Sequence, residues 1–325
     1  MQRFKNILLV LGDAHLSAPS VQRAVELARI NEAKLTVVDV LPSNPLGRGL
    51  QAFSEKMEKL HKQFMIERKM EMEEMLYGYL EDFAPTITVL SGKPFLQIIQ
   101  YVQQNSCDLV IKSAEQGKIF SSKLFGSTDL RLLRKCPCPV WIVKEDDHAT
   151  SRKILAAVEL ETFDDENSQD ELNRQIIEIA SSLAVRESAE LHIVNANVII
   201  DGDSLAKKIS KSFEVDATQW VEEQKRSIQT AQEDFVAAFK GYLQLQNYTD
   251  LTYRFHFIEG EAEDVIVDLA KKEKMDLVIM GTVGRSDLAG FLVGNTSEAV
   301  LQQINCSVLA VKPPGFISPV TVQER

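Results

Sequence analysis

The sequence predicts two tandem α/β domains, each built on a five-stranded parallel sheet with helices on both faces. Short apolar runs of strand length alternate with amphipathic segments of helical period, which is typical of a doubly wound parallel sheet. The length of 325 residues suits two domains of about 150 residues. In addition, residues 92–144 align without a gap on residues 260–312, which indicates an internal duplication.

The duplication predicts the domain boundaries. The fourth strands match residue for residue, with Asp108–Ile111 on Asp276–Ile279. Each copy ends in a Val-Lys pair, and a polar, acidic linker follows Lys144 of the first copy. We therefore predict a first domain at residues 1–147 and a second at residues 151–315.

Each copy repeats one order of elements. A first strand precedes a helix with apolar residues at i, i+3, i+4 and i+7, and a second strand precedes a long amphipathic helix. A third strand, a helix, a fourth strand, a loop, a last helix and a fifth strand follow. The predicted strands lie at Ile7–Leu11, Leu35–Val40, Thr86–Leu90, Asp108–Ile111 and Val140–Val143 in the first copy, and at Ile154–Val158, Leu191–Ala196, Leu251–Phe257, Leu277–Met280 and Val308–Val311 in the second.

Composition and charge exclude several classes of function. The net charge of −11 and the pI near 5.1 disfavour a general nucleic-acid binder, although backbone amides can still hold a small anion. No apolar stretch reaches the length of a membrane span, and no signal peptide is evident. Four cysteines do not make a disulfide framework, so we expect a cytoplasmic protein.

Cys136-Pro-Cys138 has two interpretations. A metal or redox site is one, but a single C-x-C without a second cysteine pair or a nearby histidine makes a poor zinc site. Cys138 aligns with Cys306, and both precede an apolar strand. We expect packing in the core, with the metal or redox site as the alternative.

Other features favour structural roles. His192 and His256 fall in predicted strands without a third metal ligand at usable spacing. The acidic run Asp164–Glu166 is better explained as a cap of the next helix than as a cation site. The Met-rich helix around residues 57–75 is expected to cover the sheet, with partner binding as the alternative. No catalytic residue and no metal ligand is predicted.

The most informative segment follows the fourth strand of the second copy. Gly281 and Gly284 make a tight loop, and Gly294 opens a helical pattern. Glycines allow positive φ and close approach of backbone to a ligand, and a helix start presents N–H groups to phosphate. Arg285 would assist such a phosphate cradle. The alternative is an ordinary strand–turn–helix in which the glycines only form the turn.

The pattern G-x-x-G, nine residues, then G with small hydroxylated residues resembles the ATP-binding signature of the universal stress proteins. The resemblance covers nearly the whole chain as two complete copies of that domain. It implies a Rossmann-like five-stranded sheet, a role in stress response, adenine-nucleotide binding and no settled enzymatic activity. It also implies that the two domains pair within the chain through their fifth strands, with a homodimer as a further assembly.

Carried over by position, the resemblance implies a nucleotide site in the second copy, with ATP or a related adenine nucleotide as ligand and Mg²⁺ as a candidate companion. Glu159 stands where nucleotide binders of the family have Asp, and Asn295 stands where they have Ser or Thr. These departures are compatible with a shifted or different ligand. The implied ligand-binding residues are Ala157, Glu159, Ala196, Met280, Gly281, Gly284, Arg285, Gly294, Asn295, Thr296 and Ser297.

The first copy departs further from the signature. Ser113 and Gln116 replace the two loop glycines, with Glu115 between them, and Gly12 replaces the acid at the end of the first strand. A carboxylate there would repel phosphate, and side chains would fill the space that backbone should leave open. Gly126 and the residues after it keep the pattern of the helix start. We expect the first copy to be a structural or regulatory half.

Two other functions stay open. The chain could be a weak ATPase, although no base or metal cluster is evident. It could instead bind a non-nucleotide amphiphilic metabolite, with the polar segment at residues 201–216 as a lid. No nucleic-acid partner and no membrane span is expected.

Overall fold

The computed structural model describes residues 4–12, 18–42, 51–80, 83–115, 125–144, 150–160, 168–199, 217–282 and 295–321. The chain divides into two compact units. The first unit comprises residues 1–150 and 282–325, and the second unit comprises residues 151–281. Within the described ranges, the helices are all too short or too polar to cross a membrane. Gly284, Arg285, Gly294, Asp164–Glu166 and residues 201–216 lie outside the described residues.

The described residues contain ten strands and eight helices. The strands are β1 (Asn6–Val10), β2 (Lys34–Leu41), β3 (Thr86–Ser91), β4 (Leu109–Ser113), β5 (Val140–Val143), β6 (Lys153–Ala157), β7 (Glu190–Asn197), β8 (Tyr253–Glu259), β9 (Leu277–Gly281) and β10 (Ser307–Val311). The helices are α1 (Ala18–Asn31), α2 (Gln51–Leu80), α3 (Pro94–Asn105), α4 (Ser127–Lys135), α5 (Ser168–Glu187), α6 (Ala217–Gln246), α7 (Ala262–Glu273) and α8 (Asn295–Gln303).

In the first unit, the strands of the first copy form a parallel sheet in the order β3-β2-β1-β4-β5. β10 continues this sheet beyond β5 and runs antiparallel to it, with Leu309 opposite Trp141. The two apolar runs that were expected to contact each other thus pair as strands. Because β5 would otherwise be an edge strand, β10 satisfies the backbone groups on its outer side.

In the second unit, the strands are parallel throughout, in the order β9-β6-β7-β8. The predicted fold class is confirmed: the chain is a tandem α/β protein with mainly parallel pairing. In addition, β10 pairs with β5 in an antiparallel sense. The compact units therefore do not follow the repeat, and the boundaries 1–147 and 151–315 stay a prediction about the repeated domains.

Matching residues of the two copies take matching structural roles. All residues of Leu109–Ile111 and Leu277–Ile279 are buried, as expected for parallel strands with helices on both faces. Gly92 and Gly260 follow β3 and β8 with φ of 144° and 150°, a backbone conformation that favours glycine. Their N–H groups donate to Leu41 and Asn197, each over 2.9 Å. This shared turn explains why both copies have glycine at that position.

The Met-rich helix α2 covers the sheet with one face. Met72 and Leu76 are fully buried, whereas Ile66, Met70 and Tyr77 on another face are exposed. Arg68 lies one turn before Met72 on the same face and donates to Asp39 of β2 over 2.7 Å. The packing agrees with the prediction that this helix is a cover for the sheet.

Two histidines of the second unit contact each other across β7 and β8. The His192 Nδ1 and His256 Nε2 atoms lie 2.9 Å apart, and the rings are parallel within 7°. Glu190 and Arg254 on the same strands lie beside His192, and Lys153, Lys272 and Glu273 contribute weaker fields. Burial lowers the pKa of His192, and burial together with the positive field of His192 lowers the pKa of His256. Within the described ranges, His, Cys, Asp and Glu form no group of three that could hold a metal.

We expect acid to destabilise the protein through this histidine pair. Because their pKa values are lowered, both rings bind protons less readily in the folded state than in the unfolded chain, where the ordinary pKa is 6.5. The contribution to stability is therefore present above that pH and is lost as the pH falls below it. Urea unfolding at about pH 7.5 and about pH 5.5 measures the loss.

His256→Gln should reduce this loss, because it removes one of the two groups that would charge. His61→Gln is the matched control: His61 lies on α2 and bonds Ser91 over 2.7 Å, away from the pair. An equal loss of stability in wild type and His256→Gln would show that the pair does not cause the pH dependence.

Candidate functional site

The strand order of the second unit reverses direction at β6. β6 lies between β7 and β9, so the chain winds to one side of β6 through β7 and β8 and then returns to the other side at β9. In open parallel sheets, ligands bind beyond the carboxyl ends of the strands at such a reversal point. The candidate site therefore lies at the carboxyl ends of β6 and β9.

The structure brings five of the predicted ligand-binding residues to this edge. Ala157 ends β6, and Met280 and Gly281 end β9 beside it. Ala196 lies near the end of β7, and Glu159 follows β6 by two residues. Met280 is buried, whereas the side chain of Glu159 is exposed.

Two asparagine side chains fix the backbone beyond β6. Asn173 of α5 accepts from the Glu159 N–H over 3.2 Å and donates to the Glu159 carbonyl over 2.5 Å. Asn195 of β7 donates to the Val158 carbonyl over 3.3 Å. Both asparagines are buried. They hold the end of β6 in place, so Glu159 projects from a fixed point.

Sequence reasoning missed Asn173 and Asn195. A signal was present, because Asn173 lies beside the apolar residue Leu172 on the buried face of α5, where a polar side chain needs a partner. The identity of that partner depends on where α5 packs, which the periodicity of one helix does not determine.

Positive φ does not account for the glycine at position 281. Its φ is not positive, in contrast to those of Gly92 and Gly260. Instead, a Cβ atom at Gly281 would lie 2.9 Å from Cδ2 of Leu172. The packing of Leu172 of α5 against the end of β9 therefore favours a residue without a side chain, while the predicted approach of a ligand to this backbone stays a prediction.

The remaining predicted residues are placed less completely. Asn295, Thr296 and Ser297 form the first turn of α8, which belongs to the first unit. Thr296 is half-buried and Ser297 is buried. Gly284, Arg285 and Gly294 are among the residues outside the described ranges.

The first unit has the equivalent reversal point between β1 and β4, and charged side chains fill it. Lys112 of β4 is buried, and its Nζ lies 2.8 Å from Oδ1 of the buried Asp129. The other oxygen of Asp129 accepts from the N–H groups of Glu115 and Gly126 over 2.8 and 3.1 Å. Burial raises the pKa of Asp129, while Lys112 and these hydrogen bonds oppose the rise.

The carboxylate of Glu115 contacts the start of α4. Its Oε2 accepts from the Thr128 N–H over 3.3 Å, and its Oε1 lies 3.8 Å from Lys112 Nζ. A Cβ at Gly126 would lie 1.8 Å from Oε2 of Glu115, so the carboxylate lies directly on the loop backbone. This arrangement agrees with the prediction that side chains fill the space in the first copy.

The second copy has no charge at any of these three positions. The counterparts of Lys112, Glu115 and Asp129 are Met280, Val283 and Ser297, all uncharged. A lysine–carboxylate cluster of the first-copy type therefore has no equivalent among these residues of the second copy.

Comparison with known proteins agrees with this pair of related domains. The model described as "Universal stress protein family" matches residues 3–144 and 150–312. The chain belongs to the universal stress protein family. It carries the family domain twice, as predicted, so the two reversal points belong to two universal stress protein domains.

Full-length relatives share this tandem arrangement. The chain is 30% identical to the universal stress protein E homolog of Haemophilus influenzae, over 96% of this chain and 98% of that protein. It is 28% identical to universal stress protein E of Escherichia coli K12, over 100% and 99%. A putative universal stress protein of Pseudomonas aeruginosa has a similar fold, with a TM-score of 0.66 at 24% identity, over 96% of this chain and 94% of that one.

We expect Gly281→Ala to destabilise the protein by about 1–3 kcal/mol, because the added methyl group overlaps Leu172. Urea unfolding of Gly281→Ala, Leu172→Ala and the double variant measures the contact. The double variant should lose less than the sum of the single variants, by about 1 kcal/mol. Gly241→Ala in α6 is the control, since its new Cβ meets no atom within 4 Å. Strict additivity would exclude the overlap as the cause.

Lys112→Met should destabilise the protein by about 3–5 kcal/mol, because Asp129 would remain buried without its cation. Adding Asp129→Ser should recover part of the loss, since Met and Ser are the residues of the second copy at these positions. Denaturant unfolding compares the single and double variants. A double variant less stable than Lys112→Met would argue against a buried ion pair.

Proposed function

We propose that this protein is a stress-response binding protein that holds an adenine nucleotide such as ATP at the carboxyl edge of its second domain. Three arguments support the proposal: membership of the universal stress protein family, resemblance of the loop from Gly281 to Gly294 to the family's ATP signature, and the strand reversal at β6 and β9. The first domain takes a structural role and pairs with the second copy through β5 and β10.

One contrast carries the proposal. The reversal point of the first unit contains the cluster of Lys112, Glu115 and Asp129. The carboxylate of Glu115 already accepts a hydrogen bond from the start of α4. The matching residues of the second copy are neutral. An anionic ligand at the second domain would therefore meet neither a competing internal carboxylate at these positions nor the repulsion that Glu115 would exert.

The residues at the edge of the second unit suit an adenine nucleoside. Ala157 and Ala196 are small and half-buried, so a flat base could approach the ends of β6 and β7. The exposed carboxylate of Glu159 can accept hydrogen bonds from ribose hydroxyl groups, and Asn173 fixes the backbone that carries it. ATP supplies the phosphate charge, and Mg²⁺ would neutralise part of it.

The phosphate side of the site rests on the sequence alone. The family resemblance implies that Gly284, Arg285, Gly294 and the start of α8 provide backbone N–H groups to the phosphates. Asn295, Thr296 and Ser297 would add side-chain donors. These contacts stay predictions from the signature.

We expect the purified full-length chain to bind one Mg·ATP, and Gly281→Val to weaken the affinity by at least about tenfold, because an isopropyl group would displace Leu172 and close the edge. Isothermal titration calorimetry measures the affinity. Ala157→Leu is a second blocking variant. Ser113→Ala changes the position that matches Gly281 in the first copy and should leave the affinity unchanged.

Two outcomes would contradict the proposal. An equal loss of Mg·ATP affinity in Ser113→Ala and Gly281→Val would place the nucleotide elsewhere. A lipid-like mass retained in native mass spectrometry, without any Mg·ATP binding, would favour the amphiphilic metabolite. Phosphate release by the same samples tests the ATPase alternative. Turnover that Gly281→Val abolishes would make the protein an enzyme rather than a binding protein.

A further inference from the structure

Two cysteine thiols of the first unit lie in contact at the end of α4. Cys136 is the C-cap residue of α4, and its N–H donates to the Leu132 carbonyl over 3.0 Å. Cys138 follows two residues later, directly before Pro139 and β5. The two Sγ atoms are 3.7 Å apart, and both side chains are buried. Burial agrees with the core-packing prediction.

A buried lysine amine lies at the same helix end. Lys312 follows β10, and its Nζ donates to the carbonyls of Leu133 and Arg134 over 2.6 and 3.3 Å. It also bonds the Thr282 hydroxyl, which itself donates to the Leu133 carbonyl. The ring of Phe316 lies 5.0 Å from Nζ. Burial lowers the pKa of Lys312 to about 7, and the negative field of ionised thiols at Cys136 and Cys138 opposes this change.

The two thiols differ in acidity. Burial opposes ionisation of Cys136, but hydrogen bonds from the thiol and the backbone of Cys138, together with the charge of Lys312, lower its pKa. The same thiol contact and burial raise the pKa of Cys138. Burial raises the pKa of the neighbouring Cys107 to about 11. Cys136 is thus the most readily ionised of these three thiols. Either sulfur can donate while both are protonated, and Cys138 is the donor once Cys136 is a thiolate.

We propose that Cys136 and Cys138 form an oxidisable dithiol, which a small peroxide converts to an intramolecular disulfide beside Lys312. The Cys136 thiolate attacks one peroxide oxygen, the O–O bond breaks, and Cys136 becomes a sulfenic acid. Cys138 then loses its proton, attacks the sulfur of Cys136 and expels the oxygen as water. In total the two thiols give up two electrons and two protons, and hydrogen peroxide becomes two molecules of water.

The contact geometry favours this pair over the other cysteines. The sulfur atoms need to approach from 3.7 Å to about 2.05 Å, and only the three residues from Cys136 to Cys138 enclose the new ring. The second copy has no equivalent, because Ile304 stands in place of Cys136 while Cys306 matches Cys138. Burial of both thiols limits the oxidant to a small molecule such as hydrogen peroxide.

Oxidation would act on the pairing of β5 with β10. Closing the ring moves the C-cap residue of α4, and the last carbonyls of α4 hold Lys312 at the end of β10. The same residues lead directly into β5. A disulfide at this point therefore changes the end of α4. That end leads along the chain into β5, and its carbonyls bind Lys312 at the end of the paired strand β10.

The test uses the full-length protein, treated with hydrogen peroxide, unfolded in N-ethylmaleimide and digested with trypsin. Both cysteines fall in the single peptide Cys136–Lys144. We expect this peptide to lose two hydrogens and escape alkylation, while Cys107 and Cys306 remain alkylated. Dithiothreitol should restore alkylation. In Cys138→Ser, dimedone should capture the sulfenic acid of Cys136 instead.

Two further variants sharpen the outcome. Cys306→Ser should oxidise like wild type, because Cys306 belongs to the second copy, where it has no partner cysteine two residues before it. Lys312→Met should slow the loss of the thiols by about tenfold, since the cation that favours the thiolate is gone. Equal alkylation of all four cysteines after peroxide, or a disulfide that joins Cys107 to another peptide, would overturn the assignment.

Discussion

The antiparallel pairing of β5 with β10 is the interaction on which the first unit depends. It brings the last strand of the second copy into the sheet of the first, so the buried face around Trp141 is completed by residues far along the chain. The backbone of Lys144 donates to Ser307 of β10, and Lys312 reaches the end of α4 from the same strand. The first copy therefore lacks part of its core and of its polar network without the second.

Helix α4 shows how buried charge supports this arrangement. Its first turn contains Asp129, a carboxylate near the positive end of the helix dipole. Its last carbonyls accept from the amine of Lys312 at the negative end. Both side chains are buried, and each makes several hydrogen bonds that offset part of its desolvation. A nine-residue helix is thereby fixed at both ends, and the dithiol and the filled reversal point lie at its two termini.

Periodicity and the repeat were sufficient to predict the tandem domains and the strands, because each depends on local pattern or on a duplicated residue such as Gly92. The contact between the fifth strands was predicted from the family resemblance. The edge residues Ala157 and Gly281 could also be placed, since parallel strands bring their carboxyl ends together. The contacts of Asn173 with Glu159 and of Leu172 with Gly281 could not be predicted, because they depend on how α5 packs. Likewise, the sequence indicated that Glu115 would repel phosphate. It did not indicate that the Glu115 carboxylate accepts a hydrogen bond from the Thr128 N–H, because this bond depends on where the loop places the side chain.

The cluster of Lys112, Glu115 and Asp129 has a consequence for symmetry. A dimer of identical chains carries every substitution twice, so closing one ligand site with an internal ion pair closes both. Two domains joined in one polypeptide accumulate substitutions independently. A tandem chain can therefore place a buried ion-pair cluster in one domain and keep uncharged residues at the matching positions of the other.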